Sequence, residues 1–252
     1  MMIFHPLVRR QMLNPNKIPV IIINFNQYFY LEKLVNFLLE RNIQNIVIID
    51  NNSTYEPLLQ YYQQLPPSII VERMNENYGH MVFFEKEELL HKYGKGFFVV
   101  TDADIIPNDK LPQNFMKVLL EILKKEMANI NKVGFALKID DIPDHYFFKK
   151  KVIKWEKQFW NNKFNHRYES YYAKIDTTFA LYKPGYPKLF NHIHFLEGIR
   201  VAGNFTAKHG GWYLNEEKLT DEQIFYRKTA TDSSSWLYKE GGELSDRSKS
   251  FY

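Results

Sequence analysis

Short runs of apolar residues alternate along the first half of the chain with segments whose apolar residues recur every three or four positions. The runs are typical of buried strands, and the recurring positions are typical of amphipathic helices. Strands that alternate with helices through short connections predict an α/β fold with a mostly parallel sheet and helices on both faces. The predicted strands cover residues 20–23, 45–49, 68–71, 97–101 and 132–137, with helices between them.

A cluster of polar residues follows each of the first four predicted strands. The carboxyl ends of parallel strands meet at one edge of the sheet, and open α/β sheets bind nucleotides at that edge. We therefore expect the four clusters to build one nucleotide pocket. The side chains expected to line it are Asn24, Asn26, Asp50, Asn77 and Asp102.

Asp102 and Asp104 follow the fourth predicted strand, and a turn at Ala103 is expected to bring both carboxylates to one ligand. Acids also stabilise helix starts, but the next helical pattern begins near Leu111, which is too far along the chain for either acid to cap it. Carboxylate oxygens that share a cation with phosphate suit Mg²⁺ or Mn²⁺. The pair therefore predicts a divalent metal ion that bridges to a diphosphate.

The composition limits the kind of protein. With 252 residues, of which 45% are hydrophobic, we expect one domain or a domain with a small appendage. The absence of cysteine excludes disulfides and thiolate chemistry, so any metal must take oxygen and nitrogen ligands. The formal charge of +4 is spread along the chain except at the lysines of residues 149–151. This argues against nucleic acid and leaves an anionic partner open, although such a triplet is more often part of a solvated loop.

The expected location is the cytoplasm. No apolar run approaches the roughly 20 residues that span a bilayer, and the first residues lack the pattern of a signal peptide. Contact with a membrane surface is left open.

Beyond Asp140 the pattern changes. Aromatic residues crowd residues 146–172, where packing in a core or lid is favoured over a sugar-binding platform. A helix around residues 151–160 and a strand over residues 177–182 are predicted there. The polar tail from Thr231 is expected to be partly disordered or to form a mobile flap.

Four segments of the first 140 residues resemble the GT-A fold glycosyltransferases of the large family 2 group. They are residues 20–26 (VIIINFN), 46–54 (IVIIDNNST), 77–80 (NYGH) and 100–104 (VTDAD, an Asp-x-Asp motif). Two later segments are similar to the acceptor half of small capsule- or lipopolysaccharide-type members, namely residues 175–182 (IDTTFALY) and 203–213 (GNFTAKHGGWY).

This resemblance implies a GT-A (Rossmann-like) fold with a nucleotide-sugar-binding half over residues 1–140 and an acceptor-binding half with the tail over residues 141–252, in one compact domain. It implies metal-dependent transfer of a hexose or N-acetylhexosamine from a UDP-sugar to a hydroxyl of a glycan or lipid-linked acceptor, in polysaccharide biosynthesis. In such enzymes the acid after the second strand, here Asp50, holds the base or ribose, and the second acid of the metal motif, here Asp104, ligates the ion. The motif at residues 77–80 adds Gly79 to the residues expected to bind the nucleotide.

The remaining roles are hypotheses about the acceptor half. Many family 2 members carry a Glu-Asp pair on a helix as their base motif, and this sequence has no such pair, so the base is assigned to Asp176, with Glu197 and Asp221 in reserve. An inverting transfer needs a carboxylate that takes the acceptor proton. His209 is expected to be a distant metal ligand, and Arg200 is expected either to help hold the diphosphate or to form a surface ion pair.

Two other functions are compatible with parts of this pattern. A nucleotidyltransferase would share the sheet and the metal, but residues 24–28 contain neither the glycine nor the basic residue that grips a triphosphate. A non-catalytic sugar-binding module is disfavoured because both acids of the metal motif are intact.

Overall fold

The computed structural model describes residues 5–164, 167–185 and 195–230. In these residues the helices and strands follow one another as a mixed α/β fold. The helices are α1 (Pro6–Leu13), α2 (Phe29–Leu39), α3 (Glu56–Gln64), α4 (Val82–Glu85), α5 (Glu87–Tyr93), α6 (Phe115–Glu126), α7 (Lys149–Glu156) and α8 (Asp221–Thr229). The strands are β1 (Val20–Asn24), β2 (Ile46–Asp50), β3 (Ile69–Arg73), β4 (Phe98–Asp102), β5 (Ile105–Pro107), β6 (Lys132–Phe135), β7 (Lys163–Phe164), β8 (Ser170–Lys174), β9 (Ala180–Tyr182), β10 (Glu197–Val201) and β11 (Ala207–His209).

The central sheet has nine strands in the order β3-β2-β1-β4-β9-β6-β10-β8-β7. Strands β1 and β2 are buried along their whole length, as expected of strands covered on both faces. Helix α2 covers one face with four buried side chains, Leu31, Leu34, Val35 and Leu38. The first four strands and the helices between them confirm the sequence prediction.

The parallel register brings the polar clusters to one edge of the sheet. Asn24 at the end of β1 lies opposite Asp50 at the end of β2, and Ile23 lies opposite Asp102 at the end of β4. Three of the four predicted clusters therefore begin side by side, which confirms that the strand ends converge.

The second half of the sheet is mixed rather than parallel. Strand β9 runs antiparallel to both β4 and β6, and β8 runs antiparallel to β10, whereas β6 and β10 are parallel. Because β9 lies between β4 and β6, residues from beyond position 140 complete the sheet begun by the first half. The expectation of a mostly parallel sheet thus holds for the first four strands and needs correction beyond them.

Several local expectations also change. The helix expected between the third and fourth predicted strands is divided at Lys86 into α4 and α5, and the predicted strand over residues 177–182 shortens to β9. The lysine triplet at residues 149–151 opens helix α7 instead of lying in a loop. The tail from Thr231 lies outside the described residues. None of the described helices has the length and apolar character needed to cross a membrane.

Candidate active site

Asp104 and His209 meet through a small second sheet. The chain turns at Ala103 and Asp104, as predicted, and continues as β5, which pairs antiparallel with β11 so that His209 lies opposite Ile105. His209 Nδ1 is 3.2 Å from Asp104 Oδ2. The two residues are 105 positions apart in the sequence, and the folding of β11 against β5 brings them together.

The geometry around His209 leaves one of its nitrogen atoms available. Its ring stacks on Trp212, with centroids 5.0 Å apart and planes within 7°. Nδ1 is buried and makes no hydrogen bond within the described structure, although it faces the Asp104 carboxylate. A buried acceptor or ligand atom beside a carboxylate is suited to a cation.

Backbone amides of the two glycines after His209 hold Asp104. Gly210 N–H donates to the Asp104 carbonyl (2.7 Å), and Gly211 N–H donates to the Asp104 carboxylate (3.3 Å). A Cβ atom on Gly210 would lie 2.7 Å from the ring of Tyr30. The absence of a side chain at Gly210 therefore makes room for Tyr30.

Tyr30 is an element of the site that the sequence did not reveal. Its hydroxyl donates to the Gly210 carbonyl (3.3 Å). Burial raises the pKa of Tyr30 to about 12, and the negative charges of Asp104 and Glu222 add to the shift. Tyr30 therefore lies within electrostatic reach of both carboxylates and keeps its proton at neutral pH.

Asp102 is held by the loop between β8 and β9. Its backbone N–H donates to the Thr177 carbonyl (2.9 Å), and the Thr177 hydroxyl donates to its carboxylate (2.5 Å). Burial raises the pKa of Asp102 well above its usual value, and the charge of Asp104 raises it further. Two carboxylates at this edge thus create negative charge that a bound cation would relieve.

Asp176 precedes Thr177 in the same loop and is exposed. Its carboxylate makes no hydrogen bond or ion pair with any other described residue, so it is not a turn acid held by Thr177 or Thr178. Its charge acts on Asp102, which puts it near the metal motif. Of the reserves, Glu197 begins β10 and Asp221 begins α8, and both are exposed.

Asp50 is completely buried and is occupied by the protein's own groups. One carboxylate oxygen accepts a hydrogen bond from Ser53 N–H (2.9 Å) and lies 3.5 Å from Arg73 Nε. The other accepts from the Tyr62 hydroxyl (2.7 Å). These contacts hold the turn after β2. They do not include a nucleotide, so the hydrogen bond from a base or ribose to Asp50 stays a prediction.

Asn26 joins three segments around the predicted pocket. It has a positive φ of 50°, and its side-chain oxygen accepts hydrogen bonds from Thr54 N–H (2.7 Å) and Tyr55 N–H (3.0 Å) at the start of α3. Its side-chain nitrogen donates to Thr229 in α8 (3.0 Å). Both polar atoms of its side chain are thus bonded to the protein itself.

Two buried amide oxygens at the same edge have no hydrogen-bond partner among the described residues. The side-chain nitrogen of Asn24 donates to the Tyr62 hydroxyl (3.0 Å), and that of Asn51 donates to the Gly79 carbonyl (2.9 Å). These partners fix the orientation of both amides. The Tyr62 hydroxyl gives its proton to Asp50, so it can only accept from Asn24, and the Gly79 carbonyl can only accept from Asn51. The oxygens Oδ1 of Asn24 and Asn51 are left without a donor.

The loop of residues 77–80 has a tight turn next to these asparagines. Asn77 Oδ1 accepts a hydrogen bond from Gly79 N–H (2.9 Å), and Gly79 has a φ of 80°, a backbone region that favours glycine. The glycine of this motif is therefore explained by the turn.

Arg200 is in a buried ion pair and not on the surface. Its Nη1 donates to Glu156 (2.8 Å), its Nε donates to the Lys174 carbonyl (2.7 Å), and both charged side chains are 4% exposed. The ion pair expected at the surface is therefore a buried one. Arg200 would have to leave Glu156 in order to hold a diphosphate directly.

Helix α8 lies over the loops that follow β1 and β2. Glu222 accepts hydrogen bonds from the N–H groups of Tyr28 (3.0 Å) and Phe29 (3.0 Å), at the start of α2. The ring of Phe225 packs on Tyr55 at 5.1 Å. The sequence offered no signal for these contacts, because they join residues 170 to 194 positions apart.

The Asp104–His209 pair suits a metal ion, but the described residues do not supply a complete set of ligands. Within the described ranges, no group of three or more His, Asp or Glu side chains is arranged to hold one ion. The pair supplies one oxygen and one nitrogen, and a cation such as Mg²⁺ or Mn²⁺ completes its shell with water and phosphate oxygens. Asp102 is held by Thr177 beside the pair.

Comparisons with known proteins agree with these motifs. The model of glycosyl transferase family 2 matches residues 20–190. A comparison with curated protein sequences gave no match.

Three solved structures show low similarity. A mannosyltransferase from Pyrobaculum calidifontis, in complex with GDP-Man and Mn²⁺, is 12% identical with a TM-score of 0.49, covering 87% of this chain and 61% of that one. A Bacillus anthracis protein assigned as a glucose-1-phosphate thymidylyltransferase is 14% identical with a TM-score of 0.42 (70% of this chain, 75% of that one). A cytidylyltransferase from Leptospira borgpetersenii is 12% identical with a TM-score of 0.33 (56% and 71%).

The chain thus spans 61% of the length of the mannosyltransferase. The family model, in contrast, matches well over half of this chain and includes the Asp-x-Asp turn and the loop that carries Asp176. On this match the protein belongs to glycosyl transferase family 2, and the α/β fold described above agrees with the GT-A fold expected from the sequence.

Proposed function

We propose that the protein transfers a sugar from a UDP-sugar to a hydroxyl of a glycan or lipid-linked acceptor, with a divalent metal ion and with inversion at the anomeric carbon. The observation that carries the proposal is the meeting of Asp104 with His209, whose Nδ1 faces the carboxylate without a hydrogen bond. In a family 2 chain, this pair next to Asp102 supports a metal site for a leaving diphosphate.

Asp104 and His209 would hold the ion, with Asp102 beside them. Mg²⁺ or Mn²⁺ neutralises the charge that develops on a departing diphosphate. The protein's contribution is to fix the ligands: the Gly211 amide and the β5–β11 pairing orient Asp104, and the Trp212 ring orients His209.

The donor nucleotide is proposed to bind at the ends of β1 and β2. The unpaired oxygens of Asn24 and Asn51 favour a ligand that presents hydroxyl or N–H donors, as ribose and a nucleobase do. The choice of UDP comes from the resemblance of the motifs, and so it needs its own test.

Asp176 is proposed as the general base. It is exposed, has no described hydrogen-bond partner and lies in the loop that holds Asp102. A carboxylate in this position can take the proton of an acceptor hydroxyl that attacks the donor on the face opposite the diphosphate. Asp176→Asn should lower turnover on the order of 10² to 10⁴-fold while the affinity for UDP is retained.

The experiment that tests the donor class is a thermal-shift screen of nucleotides and nucleotide sugars, with and without Mn²⁺. A ligand that binds only the folded protein raises the melting temperature by mass action. UDP and one UDP-sugar should raise it most, and only with the metal. Stabilisation by ATP or CTP with Mg²⁺, and none by UDP, would instead favour nucleotidyl transfer.

His209→Ala is expected to raise the Mn²⁺ concentration needed for half-maximal activity, because it removes the only proposed nitrogen ligand. The control is His91→Ala, which changes an exposed histidine of α5. A metal dependence equal to that of the unaltered protein would exclude His209 as a ligand.

A further inference from the structure

Helix α7 and the 3₁₀ turn that follows it (Lys157–Trp160) expose a row of lysines. Lys150, Lys154 and Lys157 are all exposed, and none of them forms an ion pair with a described acid. Two acids lie nearby in sequence, and both are already paired: Asp144 binds Lys149 (2.7 Å) and Glu156 binds Arg200. The positive charge of the row is therefore not neutralised by its own segment.

The three lysines lie on one side of the segment because their spacing is i, i+4 and i+7. The opposite side carries Val152, Glu156 and Phe159, which are all buried. Glu156 anchors this inner side through its ion pair with Arg200, with Phe159 beneath the guanidinium at 4.1 Å. The row is thus presented outward from a firmly packed support, over a length of about 10 Å.

Helix α5 differs from α7, because its exposed side carries charges of both signs. Helix α5 carries Glu87 and Glu88 together with Lys92, and Lys92 is paired with Glu72 (2.6 Å). A solvated helix of this mixed kind has no preference for an anionic surface. A row of lysines with no paired acid attracts an anionic surface.

An aromatic side chain adjoins the row. Phe147, two residues before α7, is 67% exposed and has the largest exposed fraction of any described aromatic ring. Lysines beside an exposed aromatic ring are the combination that binds the headgroup region of a bilayer, where the ammonium groups meet lipid phosphates and the ring enters the interface. A nucleic-acid surface would be expected to track a longer backbone than this short row.

The segment that leads into α7 also borders the candidate active site. Asp141 accepts from Lys208 (2.7 Å), the residue before His209 in β11. Residues 141–149 therefore connect the neighbourhood of β11 with the helix that carries the row.

We propose that Lys150, Lys154, Lys157 and Phe147 form a docking surface for an anionic lipid bilayer. The binding itself is independent of the transfer reaction. Docking would also keep the protein near a membrane-borne acceptor. Only this consequence rests on the proposed function.

The test is sedimentation of the full chain with vesicles of phosphatidylcholine, alone or mixed with phosphatidylglycerol, at low and high salt. Binding should require phosphatidylglycerol and should weaken at high salt, because the attraction is screened. The triple variant K150E/K154E/K157E should lower the partition coefficient by at least about tenfold, and K150Q/K154Q/K157Q by less.

The matched control is K33E/K95E/K110E, which makes the same change of charge at exposed lysines outside α7. It should bind vesicles much more strongly than K150E/K154E/K157E. Equal binding of the two triple variants, or equal binding to vesicles with and without phosphatidylglycerol, would overturn the proposal. So would retention on RNA or an acidic polysaccharide without vesicle binding. The assay uses no donor and no acceptor, so its failure would leave the proposed transfer reaction untouched.

Discussion

Hydroxyl and amide groups hold the two acids of the candidate metal site in place. The Thr177 hydroxyl donates to Asp102, and the Gly211 amide donates to Asp104. Neutral donors of this kind orient a carboxylate without cancelling its charge, so the charge stays available to a cation. Thr177 is therefore a positioning residue, since it acts on the site through Asp102.

Thr177→Val should lower kcat/KM for transfer by roughly 10- to 100-fold, because a carboxylate that loses its donor costs about 1–3 kcal/mol. Thr177→Ser keeps the hydroxyl and should restore most of the activity. The control is Thr178→Val, the same change at a neighbouring buried residue that makes no hydrogen bond with another described side chain. Kinetics of the three variants at saturating Mn²⁺ would decide the matter. Equal losses in Thr177→Val and Thr178→Val would point to packing alone.

The sequence revealed some of these residues and not others, for a physical reason. Asp102 and Asp104 could be predicted because they end an apolar run, and His209 stood out as a possible nitrogen ligand between polar residues and glycines. Thr177 and Tyr30 carry no such local sign, since their roles depend on packing against segments far along the chain. Asp50 has the expected place in the motif, but its burial depends on Tyr62 and could not be read from it.

Helix α8 is attached to the rest of the molecule by side-chain contacts more than by a hydrophobic face. No residue of α8 is fully buried. Its attachments are Glu222 on the start of α2, Thr229 on Asn26, and the Phe225 ring on Tyr55. An element with few buried apolar groups opens at low cost in free energy, so α8 is expected to be among the first to detach.

Glu222→Ala should speed hydrogen exchange at the amides of Tyr28 and Phe29 and throughout α8. The variant loses the acceptor of two amides at the start of α2, a capping effect of about 0.5–2 kcal/mol. Glu217→Ala is the control, since Glu217 is exposed and lies just before α8. Exchange measured residue by residue would test this, and unchanged protection of Tyr28 and Phe29 would show that Glu222 does not anchor the helix.

Elements with an uninterrupted apolar run or a complete apolar face could be predicted from the sequence. The shortest strands could not. Strands β1, β2 and β4 are uninterrupted apolar runs, and α2 has a complete apolar face. Strands β5 and β11 have three residues each, too few for a period, and they form by pairing with segments that are distant in the sequence. The antiparallel direction of β9 likewise depends on its neighbours β4 and β6.

The two halves of the chain share one sheet, and a buried lysine lies where they join. Lys132 opens β6 beside Tyr182 of β9 and Gly198 of β10, and it is completely buried. Its Nζ donates to the Tyr182 hydroxyl (3.2 Å) and lies 4.7 Å from the centre of the Phe195 ring. A Cβ at Gly198 would lie 3.0 Å from the Lys132 side chain, so this glycine makes room for the lysine.

Burial lowers the pKa of Lys132 to about 7, with a further decrease from the charge of Arg200 and an opposing effect of Asp176. Between pH 7 and the usual lysine pKa near 10.5, the unfolded chain therefore binds one more proton at this position than the folded protein. The free energy of unfolding should rise with pH across this window, by up to about 1.4 kcal/mol per pH unit from Lys132 alone. The destabilising charge is fully present below pH 7.

Lys132→Met replaces the ammonium by a side chain of similar length that suits an aromatic environment. The variant should be more stable than the unaltered protein at pH 6, and this component of the pH dependence should disappear from its unfolding curves. Lys95→Met, at an exposed position, should leave the pH dependence as it was. Urea unfolding of all three proteins from pH 6 to pH 10 gives the comparison. If Lys132→Met and the unaltered protein gained stability equally between pH 7 and pH 10, Lys132 would have to be charged in the folded state throughout that range.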